Sequence, residues 1–295
     1  MNARKQDLIV VGDVMADVSV ASETLARGGD VHGEVRIRPG GGGANAAVWA
    51  AHAGANVVLF GCVGDDLIGR TLFLALQERG VNPSVAIQAD ARTGVMLVVR
   101  EGGERSMVAD RGANARLSAE DLPHRLGARA VLVSGYLLYD PRSESAAVAA
   151  LARAEAEFVA IDVSSWPLLE AYGVERFHAS ARGANFLLAN GREAEVLTGR
   201  PPVEAARALA LRYEWAFVKL GAEGAVLATN DRVFTASAPH IDEVDTTGAG
   251  DAFDGVLLAE LVEGADAESA LRAACEAGAK AASSPETWPQ DARRP

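Results

Sequence analysis

The stretch DTTGAGDAFDGVLLAELV places seven residues of chemical interest, Asp245 to Asp251, directly before an apolar run that reads as a helix. A helix N-terminus carries unpaired backbone N–H groups and a partial positive charge, and glycines let an anion come close to them. Gly248, Ala249 and Gly250 can therefore cradle a phosphate. Asp251 puts a negative charge where an anion should sit. That makes sense for a base that removes a proton from a hydroxyl while the cradle holds the developing charge. The competing role is an N-cap, a common use of Asp. A second pair, Asn190 and Glu193, follows an apolar run and is spaced to share a helix face or to form a capping box.

The elements that must position these residues alternate. LIVVG (8–12), ANVVLFGCVG (55–64), AVLVSG (130–135), FVAIDV (158–163), FLLAN (186–190) and AFVKLG (216–221) read as strands buried on both faces. Helical patterns lie at 44–54, 66–80, 143–157 and 202–214. The expectation is an α/β fold with a mainly parallel sheet. Segments 17–40 and 93–112 instead alternate apolar and polar residues around glycine-rich turns, as strands with one wet face do. Paired together they would form a small sheet that projects from the body as a lid; ordinary edge strands are the alternative.

Composition narrows the function. The chain has 295 residues and a formal net charge of −12, which argues against nucleic-acid binding. Its three lysines (5, 219 and 280) fit no Walker-type loop, and its five histidines are scattered. Two cysteines cannot build a disulfide framework, and no run approaches the length of a membrane span. The opening MNARKQDLIVVGD is too short in apolar residues for a signal peptide. A cytoplasmic protein, free of membrane and nucleic acid, is expected.

DTTGAGDAFDG resembles the C-terminal signature of the ribokinase-like (PfkB) sugar and nucleoside kinases. PGGGGANAAVWAAHAGANVVLFGCVGDDLIGR (39–70) is similar to their N-terminal signature, LIVVGDVMADV (8–18) to their first strand, ANGREAEVLTG (189–199) to their Asn-x-x-Glu motif, and VKLGAEGA (218–225) to their nucleotide loop. The motifs stand in family order and nearly span the chain. The resemblance implies one ribokinase-like domain over 1–295, a three-layer α/β/α body with lid segments at about 13–40 and 91–112. It implies ATP and Mg2+, and dimerisation through the lid.

By that resemblance Asp251 is the base and the N–H groups from Gly248 to Asp251 form the anion hole. Asp17, Gly41, Gly42 and Asn45 contact the sugar, with Asp13 a solvated strand end. Lys219, Gly221 and Gly224 contact the nucleotide, and Cys275 lies near the adenine. Asn190 and Glu193 orient the Mg2+ shell. Asp245 shapes a site for a monovalent cation such as K+.

Departures bear on the substrate. Met15 and Tyr136 stand where ribokinase carries a polar residue and an acid, and SSPETWP replaces the usual cation loop, which speaks against K+ activation. Arg105 and Arg111, beside the lid, suit a carboxylate or phosphate, with a solvated lid strand as the alternative for either one. The expected activity is phosphorylation of a hydroxymethyl group on a ketose or sugar acid, with ribokinase or an adenosine-type nucleoside kinase as alternatives. A dinucleotide fingerprint (Gly41-x-Gly43-x-x-Ala46) is formally present but is preceded by the alternating EVRIR. A non-catalytic sugar or nucleotide sensor on the same fold is the reading from another class.

Overall fold

A computed structural model describes residues 6–22, 28–101 and 104–291. Its main sheet has nine strands, in spatial order Val233–Ala236, Ala225–Ala228, Trp215–Lys219, Phe186–Asn190, Phe158–Asp162, Ala130–Ser134, Leu8–Val11, Val57–Gly64 and Val81–Gln88. The two strands at the Val233–Ala236 edge are antiparallel, and the rest pair in parallel. Each of the six expected strands is present, within a residue or two. Alternate residues feed two cores, which is why these runs are apolar throughout. Ile9, Val11, Val58 and Phe60 face helices such as Glu144–Arg153 and Pro202–Ala210. Leu8, Val10, Val57 and Leu59 face Gly42–His52, Ala249–Glu263 and Ala267–Ala282.

From Leu8–Val11 the chain builds outward to one side and later to the other, so the strand order reverses there. Crevices at the carboxyl ends of strands beside such a reversal are where open α/β sheets bind ligands. Gly12 and Asp13 lie at that end. The Gly42–His52 helix starts hard against them: a Cβ on Gly43 would meet Gly12 C at 2.6 Å.

The two alternating segments do pair into a separate sheet, ordered Glu34–Gly40, Met15–Ser22, Gly94–Glu101 and Glu104–Asp110. Its central pair is parallel and its outer pairs antiparallel. Asp17 lies opposite Arg38, with Met15 two residues earlier on the same face. On the other face Ile37, Val18, Leu97 and Val108 form one cross-strand row, and Ile37 is 72% exposed. The expected wet face is therefore an apolar one. The segment 166–180, unassigned from sequence, forms two short helices, Trp166–Tyr172 and Val174–Ser180.

Candidate active site

Gly248 adopts φ 80°, a left-handed conformation open to glycine, and so turns the chain into the Ala249–Glu263 helix. Asp251 lies in that helix's first turn and accepts a hydrogen bond from Asn45 Nδ2 at 2.8 Å. It caps nothing, because the N-cap is Gly248 without a side-chain bond. Burial pushes its carboxyl up to about 7; the Asn45 bond opposes that shift and Asp162 adds to it. Gly42 approaches from the other helix, where a Cβ would stand 3.3 Å from Asp251 Oδ1. Gly41, at φ 94°, passes so close to Asp13 that a Cβ would lie 2.5 Å from its carbonyl oxygen. Gly41, Gly42, Asn45 and Asp251 are thus brought together, as expected.

On the opposite side of Asp251 stands a charged cluster. Lys219 Nζ lies 3.0 Å from Asp162 Oδ1 and 2.9 Å from Asp254 Oδ1. A Cβ on Gly250 would be 3.5 Å from the same nitrogen, so the ammonium lies against the anion cradle. Burial alone would depress this lysine, but Asp162, Asp254 and Glu193 outweigh it and hold its proton more tightly. Asp254 is raised by burial, with Lys219 opposing. Asp162 Oδ2 accepts from Ser164 Oγ at 2.6 Å. Ser164 has φ 69°, a left-handed residue other than glycine, and such conformations gather at functional sites. Between Tyr136, Asp162 and Asp251 remains a cavity of about 20 Å³, room for one water or one reacting hydroxyl. Burial and then Asp251 raise the Tyr136 hydroxyl.

Beyond Lys219 opens a cleft of about 310 Å³, lined among others by Gly221, Gly224, Gly250, Phe253 and Cys275. Lys219, Gly221, Gly224 and Cys275, expected on the nucleotide side, therefore share one cleft that ends at the glycine cradle, whereas Asn190, expected there too, lines a neighbouring cavity with Lys219 and Gly221. Gly221 and Gly224 also make the turn there, at φ 61° and 102°. Cys275 is 4% exposed, with its thiol raised by burial to about 11.

Asn190 and Glu193 form the reciprocal capping box: Asn190 Oδ1 accepts from Glu193 N, and Glu193 Oε2 accepts from Asn190 N. Asn190 Nδ2 also donates to Glu193 Oε1, at 2.8 Å. Glu193 is 2% exposed, and burial followed by Asp162 raises it to about 7. Among the described residues no group of three metal-ligating side chains exists. Asp245 accepts from the backbone and hydroxyl of Thr247, at 3.0 and 2.7 Å, and so shapes the turn before the cradle.

Two sugar-side expectations change. Arg111 is not a free anion reader: its guanidinium is bidentate to Asp13 at 2.8 and 3.0 Å, donates to Ser143 Oγ and lies 3.4 Å from Asp140. Asp13 accordingly is no solvated strand end but a buried partner, 3% exposed. The side chain of Arg105 lies outside the described residues, and its backbone pairs with Arg100 in the lid. Asp17 is 9% exposed; burial raises it to about 6, against Arg38.

Sequence reasoning passed over Asp162, Asp254, Arg38 and Trp288. An acid ending a doubly buried strand was a usable signal for Asp162, and an acid on the apolar face three residues past Asp251 was one for Asp254. Trp288 had none, because its partner Asn45 is 243 positions away.

A profile described as pfkB family carbohydrate kinase matches residues 5–291. The chain belongs to that family. Its relatives include aminoimidazole riboside kinase of Salmonella typhimurium, 34% identical over 75% of this chain and 72% of that one. Ribokinase of Bacillus subtilis is 27% identical over 90% and 89%. Among solved structures, adenosine kinase from Sinorhizobium meliloti superposes with a TM-score of 0.89 at 23% identity, covering 98% and 97% of the two chains. Aminoimidazole riboside kinase from Salmonella enterica, complexed with aminoimidazole riboside and an ATP analog, gives 0.80 at 28% identity, covering 95% of each. The protein is thus a phosphotransferase of the sugar and nucleoside kinase kind. Among the described residues no helix is long and apolar enough to cross a membrane.

Proposed function

We propose that the protein transfers the γ-phosphoryl group of ATP to an exocyclic hydroxymethyl group of a small neutral furanose, a ketose or a riboside. The observation that carries this reading is the placement of Asp251, with a proton affinity near neutrality, between the glycine cradle and the small cavity beside Tyr136. Mg2+ with ATP would supply an activated phosphoryl group from the cleft that ends at Gly250. Asp251 takes the hydroxyl proton as the substrate oxygen attacks phosphorus. The bond from the γ-phosphorus to its bridging oxygen breaks, and that electron pair leaves on ADP. The N–H groups at Gly248 to Asp251 and the Lys219 ammonium face the charge that develops.

Charge favours a neutral acceptor over a sugar acid. Asp17, Asp162, Asp251 and Asp254 surround the site, while Lys219 and Arg111 are already paired. An anionic substrate would have to displace one of those pairs, or rely on Arg105 or on Arg38, which lies opposite Asp17 and pairs with Glu286 at 3.4 Å. The 34% identical relative named for a riboside supports a ribosyl hydroxymethyl as acceptor. Following ATP consumption with ribose, fructose, adenosine, aminoimidazole riboside and 2-keto-3-deoxygluconate tests this. The highest kcat/KM should fall on a neutral acceptor. A sugar acid as best substrate would overturn the neutral assignment, and no turnover with any acceptor would favour the sensor reading.

We further propose that a second copy of the chain covers the apolar lid row Ile37, Val18, Leu97 and Val108. Ile37→Lys should then shift the protein from dimer to monomer in sedimentation. An unchanged sedimentation coefficient would remove the dimer.

A further inference from the structure

The chain's last described stretch, 283–291, is fastened across the site rather than trailing from it. Trp49 Nε1 donates to the Thr287 carbonyl at 2.9 Å, and Thr287 Oγ1 donates to the Pro39 carbonyl at 2.9 Å, where the lid strand meets Gly40. Arg79 donates to the Pro289 carbonyl, and Lys280 pairs with Asp291 at 2.6 Å. Within this strap Trp288 is 5% exposed, and its Nε1 donates to Asn45 Oδ1 at 2.9 Å. Asn45, itself 3% exposed, passes the interaction on, since its Nδ2 donates to Asp251 Oδ2 at 2.8 Å.

An indole nitrogen can only donate. Whichever amide atom faces Trp288 must therefore be the oxygen, and the atom facing Asp251 must be the nitrogen. We propose that Trp288 is a positioning residue for the base: its indole N–H commits the Asn45 carboxamide to donate to Asp251, which holds that carboxylate ionised and aimed at the reacting hydroxyl. Without the indole N–H, nothing opposes rotation of the amide once Asp251 is protonated. The reversed amide then accepts from the carboxylic acid and stabilises the inactive form. The other groups around Asp251 are Asp162 and Lys219 from the strand ends, Asp17 from the lid, Tyr136, and Asp254 on its own helix. None of them is altered by replacing Trp288. The inference rests on the kinase reading for its kinetic consequence but not for its structural one.

The test is Trp288→Phe beside Trp49→Phe. The second variant also removes a strap hydrogen bond but leaves the Asn45 amide untouched. The Asp251 carboxyl is followed by 13C NMR in the unliganded protein, and kcat/KM is followed against pH with the best acceptor. Trp288→Phe should move the carboxyl midpoint up by about half a unit and lower kcat/KM about threefold below pH 7, converging on wild type above pH 8. KM for ATP should stay put, and Trp49→Phe should leave the midpoint where it was. Coincident titrations of Trp288→Phe and wild type, or an equal shift in Trp49→Phe, would overturn the proposal. The NMR midpoint decides the matter even if no acceptor is turned over, a failure that would count against the kinase reading instead. Should Trp288→Phe not fold, Trp288→Leu removes the indole N–H without supplying another donor, and the same carboxyl midpoint is read.

Discussion

Asp251 is held from two sides in different ways. Toward the 283–291 strap its hydrogen-bond partners are neutral: Trp288 donates to Asn45, and Asn45 donates to the carboxylate. Toward the nucleotide cleft they are ionic: Lys219 lies between Asp162 and Asp254. The neutral side sets direction, because each donor has one acceptor and no charge must be stripped of water. The ionic side sets the field. It keeps a fixed positive charge against the cradle at Gly250, at the cost of burying two carboxylates. A base at this junction can be aimed by one network and tuned by the other.

The largest effect should come from removing the group both networks serve. Asp251→Asn keeps the size of the side chain and a possible contact with Asn45, so folding and ATP binding should persist. Loss of a general base costs about 10²–10⁴ in rate. A variant with near wild-type kcat would return Asp251 to a structural role and dissolve the comparison.

Next come the two ways of breaking the ionic side. Lys219→Met strands two buried carboxylates and should cost about 3–5 kcal/mol of stability, as breaking a buried pair does. Asp254→Asn leaves Lys219 paired with Asp162 in a neutral couple, so its loss should be far smaller in a urea titration. Equal destabilisation by both would mean that the cluster is held by packing and not by charge.

A smaller effect separates the two uses of Glu193. The capping box is present, so the cap is real, while burial of the carboxylate beside Asp162 suits a cation's water shell. Glu193→Gln retains an acceptor for Asn190 N and should cost only about 0.5–1 kcal/mol. The Mg2+ concentration for half-maximal rate should rise severalfold. A lower melting temperature with unchanged Mg2+ dependence would leave Glu193 as a cap alone.

These networks also mark how far the sequence could be read. The doubly buried strands and the alternation within each lid segment follow from local pattern, each within a short window of the chain. Local pattern leaves open whether the lid segments pair, and the meeting of Gly41, Gly42 and Asn45 with Asp251, 206 positions beyond Asn45, is implied only by the order of the family motifs. The fates of Arg111 and Trp288 follow from neither. Arg111 is spent on Asp13, 98 positions away, and Trp288 on Asn45 across most of the chain. Which cation is paired and which is free depends on the crossover that brings strand ends together, and no local pattern encodes it. The lid misled in a related way. Its alternation was legible, but the row at Ile37 is apolar where a wet face was expected.

The last predicted effect concerns pH, is spread over several groups, and bears on both networks at once. Burial raises Asp251 and Glu193 to about 7 and Asp17 to about 6. Between about pH 4 and 7 the folded protein therefore binds more protons than the unfolded chain. By linkage, stability falls as pH rises through that window, and what these groups contribute is fully present only below about pH 4. Asp140, held below its usual range chiefly by its hydrogen bond from Arg142, has the opposite dependence, but only below that window. Turnover runs the other way, because the base must be ionised, so kcat/KM should climb through about pH 7. Each group should contribute about 1 kcal/mol to the stability slope, less than its full shift, because the site mouth is partly open to water. Melting temperature and kcat/KM measured in the same buffers from pH 5 to 8 should thus diverge. Asp251→Asn should flatten part of the stability slope. A melting temperature that rises with kcat/KM would mean that the carboxylates at this junction are ionised throughout, and that the ionic side, not burial, sets the proton affinity of the base.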